Sequence, residues 1–185
     1  ILETEDENYV LDEVLIPALD KVGNKYDKGE LFLPQMIQSA ETVKIALNII
    51  KDRLSNNNSS SKGKIIVATV QGDIHDIGKN IVKIMLENYG YEVIDLGKDV
   101  PIEEVVKRAK EENIELIGLS ALMTTTVENM KKTIEALKEN DISAKVFVGG
   151  AVVTEEYAEK INADYYSKDA KSAVEIAKIN FKYKI

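Results

Sequence analysis

One short loop of this 185-residue chain brings together an imidazole, two carboxylates and two glycines. His75 is the only histidine, and it lies in the run Gly72-Asp73-Ile74-His75-Asp76-Ile77-Gly78. An imidazole nitrogen binds transition metals, and a carboxylate on the other nitrogen fixes the tautomer and raises the basicity of the ring. Asp73 stands two residues before His75, where it can supply that carboxylate. The loop therefore predicts a metal-ligating histidine held by an aspartate, with two ordinary polar loop residues as the alternative.

The sequence after residue 63 alternates between short apolar runs and amphipathic stretches. Strands that alternate with helices predict parallel βαβ units. Five such units predict an α/β fold, a flavodoxin-like doubly wound five-stranded parallel sheet. The predicted strands are residues 64–70, 91–96, 115–120, 144–148 and 164–166. The predicted helices are residues 79–89, 102–112, 126–139, 154–161 and 169–181.

The loops after strands 1, 3 and 4 of such a sheet meet at one edge, where ligands bind. Glycines there admit a close backbone approach, and hydroxyls hold polar ligand atoms. Small neutral walls of this kind suit a bulky organic ligand better than a bare ion. The candidate binding residues are Asp76, Ile77 and Gly78 on the first loop, Ser120, Leu122, Thr124 and Thr126 on the second, and Gly149, Gly150 and Ala151 on the third.

Each of these residues also has a purely structural interpretation. Asp76 and the threonines of residues 124–126 are of the type that caps helices. Gly78 and the pair Gly149-Gly150 are of the type that turns a chain. Ser120 could be a hydroxyl satisfied at the end of its strand. The joint occurrence of all these features, in order and at the expected strand ends, favours a binding site.

Composition argues against several classes of protein. A formal net charge of -8, with lysines interleaved among acidic residues, argues against nucleic acid or an anionic membrane as partner. With no cysteine and one histidine, a disulfide framework, a thiolate metal site or a zinc hydrolase is not expected. No apolar run approaches the roughly 20 residues of a membrane helix, and we expect a cytoplasmic protein. A response-regulator receiver needs an aspartate where this chain has Leu119-Ser120.

The motif D-x-H-x-x-G, which continues as GDIHDIGKNIV, resembles the cobalamin-binding module of cobalamin-dependent methionine synthase and the related corrinoid proteins of methyltransferase systems. The resemblance implies cobalamin, as methylcobalamin, for the cofactor. It implies that His75 is the lower axial ligand of cobalt and displaces the cofactor's dimethylbenzimidazole. Asp73 would hydrogen-bond that histidine, and Thr126 would complete a proton relay. Ser120 and Thr124, with the glycine pair, would lie beside the nucleotide tail.

The resemblance extends to the residues before the loop and implies three parts. Residues 1–54 would be a partial helical cap, the last two helices of a four-helix bundle. Residues 55–63 are rich in serine and asparagine and predict a linker, and residues 64–185 would be the cobalamin-binding domain. Phe32 matches an aromatic residue that shields the methyl group, with a hydrophobic staple at a helix start as the alternative. The lack of an initiator methionine suggests a piece of a longer protein.

The stretches KVGNKYDKGELFLPQ and LSALMTTT favour methionine synthase within this family. The resemblance then implies a methyl carrier between methyltetrahydrofolate and homocysteine, with folate-binding and homocysteine-binding modules or partner methyltransferases as partners. As a module, the chain would carry a methyl group without turnover by itself. Two alternatives stay open: a small corrinoid protein of a methylamine- or methanol-type methyltransferase system, and a cobalamin-binding sensor without catalysis.

Overall fold

The computed structural model describes residues 61–181 without a break, together with part of the chain before them. The earlier described residues are 9–15, 17–18, 21–22, 25, 28–32, 35, 38–39, 41–43, 45–46 and 49–50. Contacts within the chain divide it into two compact units, Ile1–Ser59 and Ser60–Ile185. None of the helices formed by these described residues is long and apolar enough to span a membrane.

The first unit is helical at most of its described positions. A π-helical segment spans Val10–Leu15, and a turn lies at residues 28–29, before the described helical positions between residues 35 and 50. Its described buried side chains are apolar, namely Val10, Val43 and Ile50. The unit therefore has apolar residues of its own to bury.

The second unit is a parallel five-stranded sheet with the strand order β2-β1-β3-β4-β5, and the predicted flavodoxin-like fold is confirmed. The strands are β1 (Lys64–Val70), β2 (Glu92–Val100), β3 (Leu116–Ser120), β4 (Lys145–Gly149) and β5 (Tyr165–Ser167). The helices between and after them are α1 (Ile77–Asn88), α2 (Ile102–Glu111), α3 (Glu128–Glu139), α4 (Glu155–Lys160) and α5 (Ala170–Phe181). The strand order reverses between β1 and β3, so the loops after these two strands flank the switch point.

The core lies on both faces of the sheet. β1 is buried from Ile65 to Val70, as expected for a central parallel strand covered by helices on both sides. On α2, Val105 and Ala109 are buried one turn apart, which matches the helical spacing of its apolar face. Burial of both faces therefore explains why these strands appear in the sequence as continuous apolar runs.

β2 continues four residues beyond its predicted end. The register pairs Val67 with Asp95 but Ala68 with Gly97, so one extra residue forms a bulge in β2. The N–H of Gly97 donates to Oδ1 of Asp95 at 2.9 Å within this bulge. The end of β2 is polar, which is why the apolar pattern alone stopped at residue 96.

The start of β1 packs against the end of α5. A side-chain carbon on Gly63 would overlap the ring of Phe181, so only glycine fits at that position. The ring of Phe181 also packs against Tyr91, with 5.5 Å between the ring centroids. Phe181, at the end of α5, therefore lies beside the residue that precedes β1.

Candidate functional site

Asp73 is a completely buried carboxylate that joins two loops. Its Oδ1 accepts hydrogen bonds from Nδ1 of His75 at 2.9 Å and from the backbone N–H of His75 at 3.0 Å. Its Oδ2 accepts from the hydroxyl of Thr126 at 2.8 Å and from the N–H groups of Leu122 and Met123 at 2.8 and 3.2 Å. The structure thus brings together three predicted residues: Asp73, His75 and Thr126.

The charge of Asp73 determines which nitrogen of His75 faces it with a proton. Burial by itself raises the pKa of this carboxyl, but hydrogen bonds donated by His75, Leu122 and Thr126 outweigh burial and hold the pKa well below its usual range. An ionised carboxylate only accepts hydrogen bonds, so Nδ1 of His75 must carry the proton. In the neutral ring, Nε2 of His75 then carries the free lone pair.

The imidazole of His75 faces outward and has apolar neighbours in sequence and across the loops. Its side chain is 45% exposed, although Asp73 beneath it is fully buried. Ile74, Ile77 and Leu122 are also exposed, and exposed large apolar side chains in a group mark binding surfaces. A side-chain carbon on Gly78 would meet nothing within 4 Å, so open space lies above α1 at this point. These features fit a large, partly apolar group with a metal ion at its centre.

No group of three or more histidine, aspartate or glutamate side chains is placed to hold a metal ion in the part of the chain that the structure describes.

The hydroxyls of the loop after β3 lie at different depths. Thr126 is buried and bonds Asp73, whereas Thr124 is exposed. The residue in the N-cap position of α3 is Val127, so Thr126 is not the helix cap that was its structural alternative. Ser120 lies with its Oγ 3.5 Å from Oγ1 of Thr69, a buried residue of β1. Of Ser120, Thr124 and Thr126, the structure therefore connects only Thr126 to the imidazole, through Asp73.

Two residues at the start of α1, Asp76 and Gly78, do not act as the helix cap and the turn residue that were their structural alternatives. Asp76 occupies the N-cap position, yet its side chain makes no capping hydrogen bond. Gly78 is the second residue of the helix and does not turn the chain. Ile77, the first residue of α1, is exposed beside them.

Gly149 and Gly150 allow close contacts between backbone segments of this chain. Gly150 has a φ of +128°, and a side-chain carbon there would overlap the carbonyl oxygen of Ala121. A side-chain carbon on Gly149 would lie 2.7 Å from the carbonyl oxygen of Ser167. These glycines therefore bring the loop after β4 against the loop after β3 and against β5, and Ala151 lies exposed next to them.

A partly buried cluster of charges on β2 and α1 links the two elements. Nζ of Lys79 lies 2.5 Å from Oδ1 of Asp95, and Nζ of Lys83 lies 3.2 Å from Oδ2 of the same residue. Burial by itself raises the pKa of Asp95, but the hydrogen bonds from Lys79 and Gly97 and the two ammonium charges outweigh it and lower the pKa. Asp95 is therefore a charged link between the second strand and the helix that follows His75.

Phe32 belongs to the first unit, and its residue is 71% exposed. Its N–H donates to Oε1 of Gln35 at 2.9 Å, and the N–H of Gln35 donates to the carbonyl of Phe32 at 3.0 Å. The first of these bonds is one half of a capping box. A hydrophobic staple would bury the ring, so the exposure of Phe32 argues against that alternative.

Two residues that hold the first loop were missed by the sequence analysis. Oδ1 of Asp99 accepts from the N–H of Gly72 at 2.6 Å, and Nδ2 of Asn129 donates to the carbonyl of Gln71 at 2.7 Å. Asp99 lies in the polar end of β2 that the apolar pattern did not reach. Asn129 lies in the first turn of α3, where polar residues are common.

Comparison with known proteins identifies the family. Residues 63–176 match the family described as B12 binding domain, and residues 2–51 match a second family of the same description. Dimethylamine corrinoid protein 1 of Methanosarcina acetivorans is 43% identical over 176 residues, which cover 94% of this chain and 83% of that protein. The chain therefore belongs to the B12 binding domain family, and the prediction of cobalamin as cofactor is confirmed.

Solved structures place the chain among corrinoid proteins. The monomethylamine corrinoid protein of Methanosarcina barkeri is 33% identical with a TM-score of 0.82, covering 95% of this chain and 84% of that one. A chain of the methanol:cobalamin methyltransferase complex of the same organism is 33% identical with a TM-score of 0.66, covering 96% and 69%. These matches do not support our preference for methionine synthase or for folate-binding and homocysteine-binding modules. They favour the alternative, a corrinoid protein of a methyltransferase system.

Proposed function

We propose that this chain is the methyl-carrying corrinoid protein of a methylamine- or methanol-type methyltransferase system, with His75 as the cobalt ligand. The observation that carries the proposal is the 2.9 Å contact between Nδ1 of His75 and the buried Asp73. That contact leaves Nε2 free on an exposed ring. When bound, cobalamin supplies the cobalt that accepts and releases the methyl group.

The protein residues hold and orient the ligand. Asp73 keeps His75 in one tautomer and raises the basicity of Nε2. Thr126, with the N–H groups of Leu122 and Met123, holds the carboxylate in place. The imidazole is thereby fixed before the cofactor arrives, which reduces the cost of ordering it on binding.

The other loop residues are proposed to contact the rest of the cofactor. Ile77, Gly78 and Leu122 would face the corrin ring, with Asp76 at its rim, because apolar surface and open space lie there. The switch point between β1 and β3 is the place for the nucleotide tail. The residues proposed to line it are Ser120, Thr124, Gly149, Gly150 and Ala151.

The first unit is proposed to act as the cap. Residues 1–54 would cover the methyl-bearing face, joined by residues 55–63 to the binding domain of residues 64–185. Phe32 is the proposed shielding residue, because its ring is exposed and its backbone is held at a helix start. Partner methyltransferases would have to reach the same face to exchange the methyl group.

The assignment of His75 is tested by electron paramagnetic resonance of the Co(II) form. The wild type should show hyperfine coupling to a histidine nitrogen, and labelling the single histidine with ¹⁵N should change that coupling. His75→Ala should lose the ¹⁵N-sensitive coupling and bind cobalamin more weakly. If the coupling in the wild type were the same with and without the ¹⁵N label, the ligand would not be His75.

The methyl donor is tested on the chain with its bound cobalamin reduced to Co(I) by an added reductant, because the bond to the methyl group needs that electron pair. Dimethylamine, monomethylamine and methanol should each be supplied with its methyltransferase, and methyltetrahydrofolate with a folate-binding one. We expect methylation, seen in the visible spectrum, in one of the first three cases, with dimethylamine first because of the 43% identity to a dimethylamine corrinoid protein. Methylation from methyltetrahydrofolate alone would restore the methionine synthase interpretation.

A further inference from the structure

Asp99 makes two hydrogen bonds to the loop that carries the site. Its Oδ1 accepts from the N–H of Gly72 at 2.6 Å, and its own N–H donates to the carbonyl of Asp73 at 2.8 Å. The two bonds hold the two ends of the Gly72–Asp73 segment from the neighbouring strand. The backbone of Asp73 is thus fixed by contacts that its own side chain does not provide.

The backbone of Asp99 is in an uncommon conformation. Its φ of +52° lies in the left-handed region, which costs energy for residues other than glycine, although aspartate and asparagine tolerate it best. The register shifts a second time here, because Ala68 pairs with Gly97 and Val70 with Val100, so β2 has one extra residue in the stretch that includes Asp99. A strained residue beside a functional loop is a reason to look for a role in positioning.

The loop is held from the opposite side as well. Asn129 donates to the carbonyl of Gln71 at 2.7 Å, and the N–H of Asp73 donates to the carbonyl of Val70 at 3.0 Å. The backbone groups around Asp73 are therefore fixed by β2 on one side and by α3 on the other. Among these hydrogen bonds, the one accepted by the side chain of Asp99 holds Gly72, the residue immediately before Asp73.

We propose that Asp99 is a positioning residue that holds Asp73 in the orientation required to keep His75 in its Nδ1–H tautomer. The proposal rests on the proposed function of His75 as a ligand. Asp99 touches neither the imidazole nor the expected cofactor position; it acts through the backbone of Gly72 and Asp73. Without its carboxylate, the turn before Asp73 has more freedom, and the bond from Nδ1 should weaken.

The single histidine permits a direct test on the protein without cofactor. Ring ¹⁵N shifts at a pH where His75 is neutral report the ratio of its two tautomers. We expect a strong excess of the Nδ1–H tautomer in the wild type. Asp99→Gly keeps the left-handed backbone and its N–H but removes the acceptor, and it should lower the tautomer ratio about three- to tenfold, the factor that loss of one hydrogen bond corresponds to.

Two matched variants separate positioning from a general effect. Asp99→Asn keeps an acceptor and should retain a ratio close to that of the wild type. Asp141→Gly removes an aspartate with a φ of +55° outside the site and should leave the ratio unchanged. Equal effects of Asp99→Asn and Asp99→Gly would overturn the proposal, as would an unchanged ratio in Asp99→Gly.

The remaining outcomes are also decisive. If Asp99→Gly fails to fold, the side chain is structural and the proposal is wrong, because glycine accepts this backbone and only an exposed hydrogen bond is lost. Since the test uses no cobalamin, its result does not depend on whether His75 binds cobalt. The paramagnetic resonance of the ¹⁵N-labelled chain decides that question separately.

Discussion

Thr126 donates its hydroxyl to Oδ2 of Asp73 at 2.8 Å, across a separation of 53 residues in the sequence. The same hydroxyl lies 3.0 Å from the carbonyl of Met123. The loop after β3 is thereby fixed to the loop after β1 on the two sides of the switch point. The imidazole of His75 depends on this contact because both groups bind the same carboxylate.

Thr126→Val tests this contact with little change in side-chain shape. The variant removes a donor from a buried charge, so we expect a loss of about 1–3 kcal/mol in the free energy of unfolding. Cobalamin affinity should fall about 10-fold, at the lower end of the range for residues that support a metal ligand. Urea unfolding and titration with cobalamin measure the two quantities. Thr126→Ser keeps the hydroxyl and should stay close to the wild type; equal losses in both variants would contradict the role of the hydroxyl.

Gly78→Ala should separate stability from binding. Alanine is the better helix former, and the space above Gly78 is open, so the protein without cofactor should gain about 0.5 kcal/mol or remain unchanged. If the corrin ring occupies that space, cobalamin affinity should nevertheless fall. Gly150→Ala is the contrasting variant, because its added carbon overlaps Ala121, and it should destabilise the fold by more than about 1 kcal/mol. Unchanged cobalamin affinity in Gly78→Ala would place the ring elsewhere.

Phe32→Ala tests the proposed cap. A side chain that covers the methyl face favours recombination of the methyl radical with cobalt after photolysis, so loss of Phe32 should speed photolysis of bound methylcobalamin. Cobalamin affinity should change little, because the proposed binding contacts lie in the second unit. Photolysis rates under constant illumination measure the effect, and Ile45→Ala, at another exposed residue of the first unit, is the control. The same rate in the wild type and Phe32→Ala would remove Phe32 from the methyl face.

Asp95→Asn tests a predicted pH dependence of the free energy of unfolding. The folded-state pKa of Asp95 is lowered, so its stabilising effect is fully present above the unfolded value of about 3.9 and is lost as pH falls through the folded value. At pH 7 the variant should lose about 1–3 kcal/mol, because the buried ammonium of Lys79 loses a charged partner. Urea unfolding at pH 7, 5, 4 and 3 should show the difference from the wild type shrinking toward pH 3. Asp141→Asn makes the same charge change at an exposed position and is the control. If the difference in unfolding free energy between the wild type and Asp95→Asn did not change with pH, the prediction would be wrong.

The sheet was predictable because burial on both faces makes each strand a continuous apolar run. Nine of the ten predicted strands and helices have ends within two residues of those in the structure. β2 is the exception, because its last four residues are mostly polar and follow a bulge, so the apolar pattern does not extend to them. The missed part of β2 is the part that contains Asp99.

The site was predictable where its residues are close in sequence. Asp73 and His75 lie two residues apart, and their pairing follows from the chemistry of the two side chains. Thr126 came only from the resemblance to a family, since nothing local in the sequence links it to a residue 53 positions away. The contact between Asn129 and Gln71 depends in the same way on how two loops meet in space.

The packing of Phe181 against Gly63 has a consequence for how such a domain is joined to others. Gly63 and Phe181 meet at the start of β1, whereas His75 follows the end of that strand, about 20 Å away for seven residues. Domains whose ends lie together tolerate insertion into other chains. A neighbour joined near residues 63 and 181 would therefore be attached at the edge of the sheet away from His75.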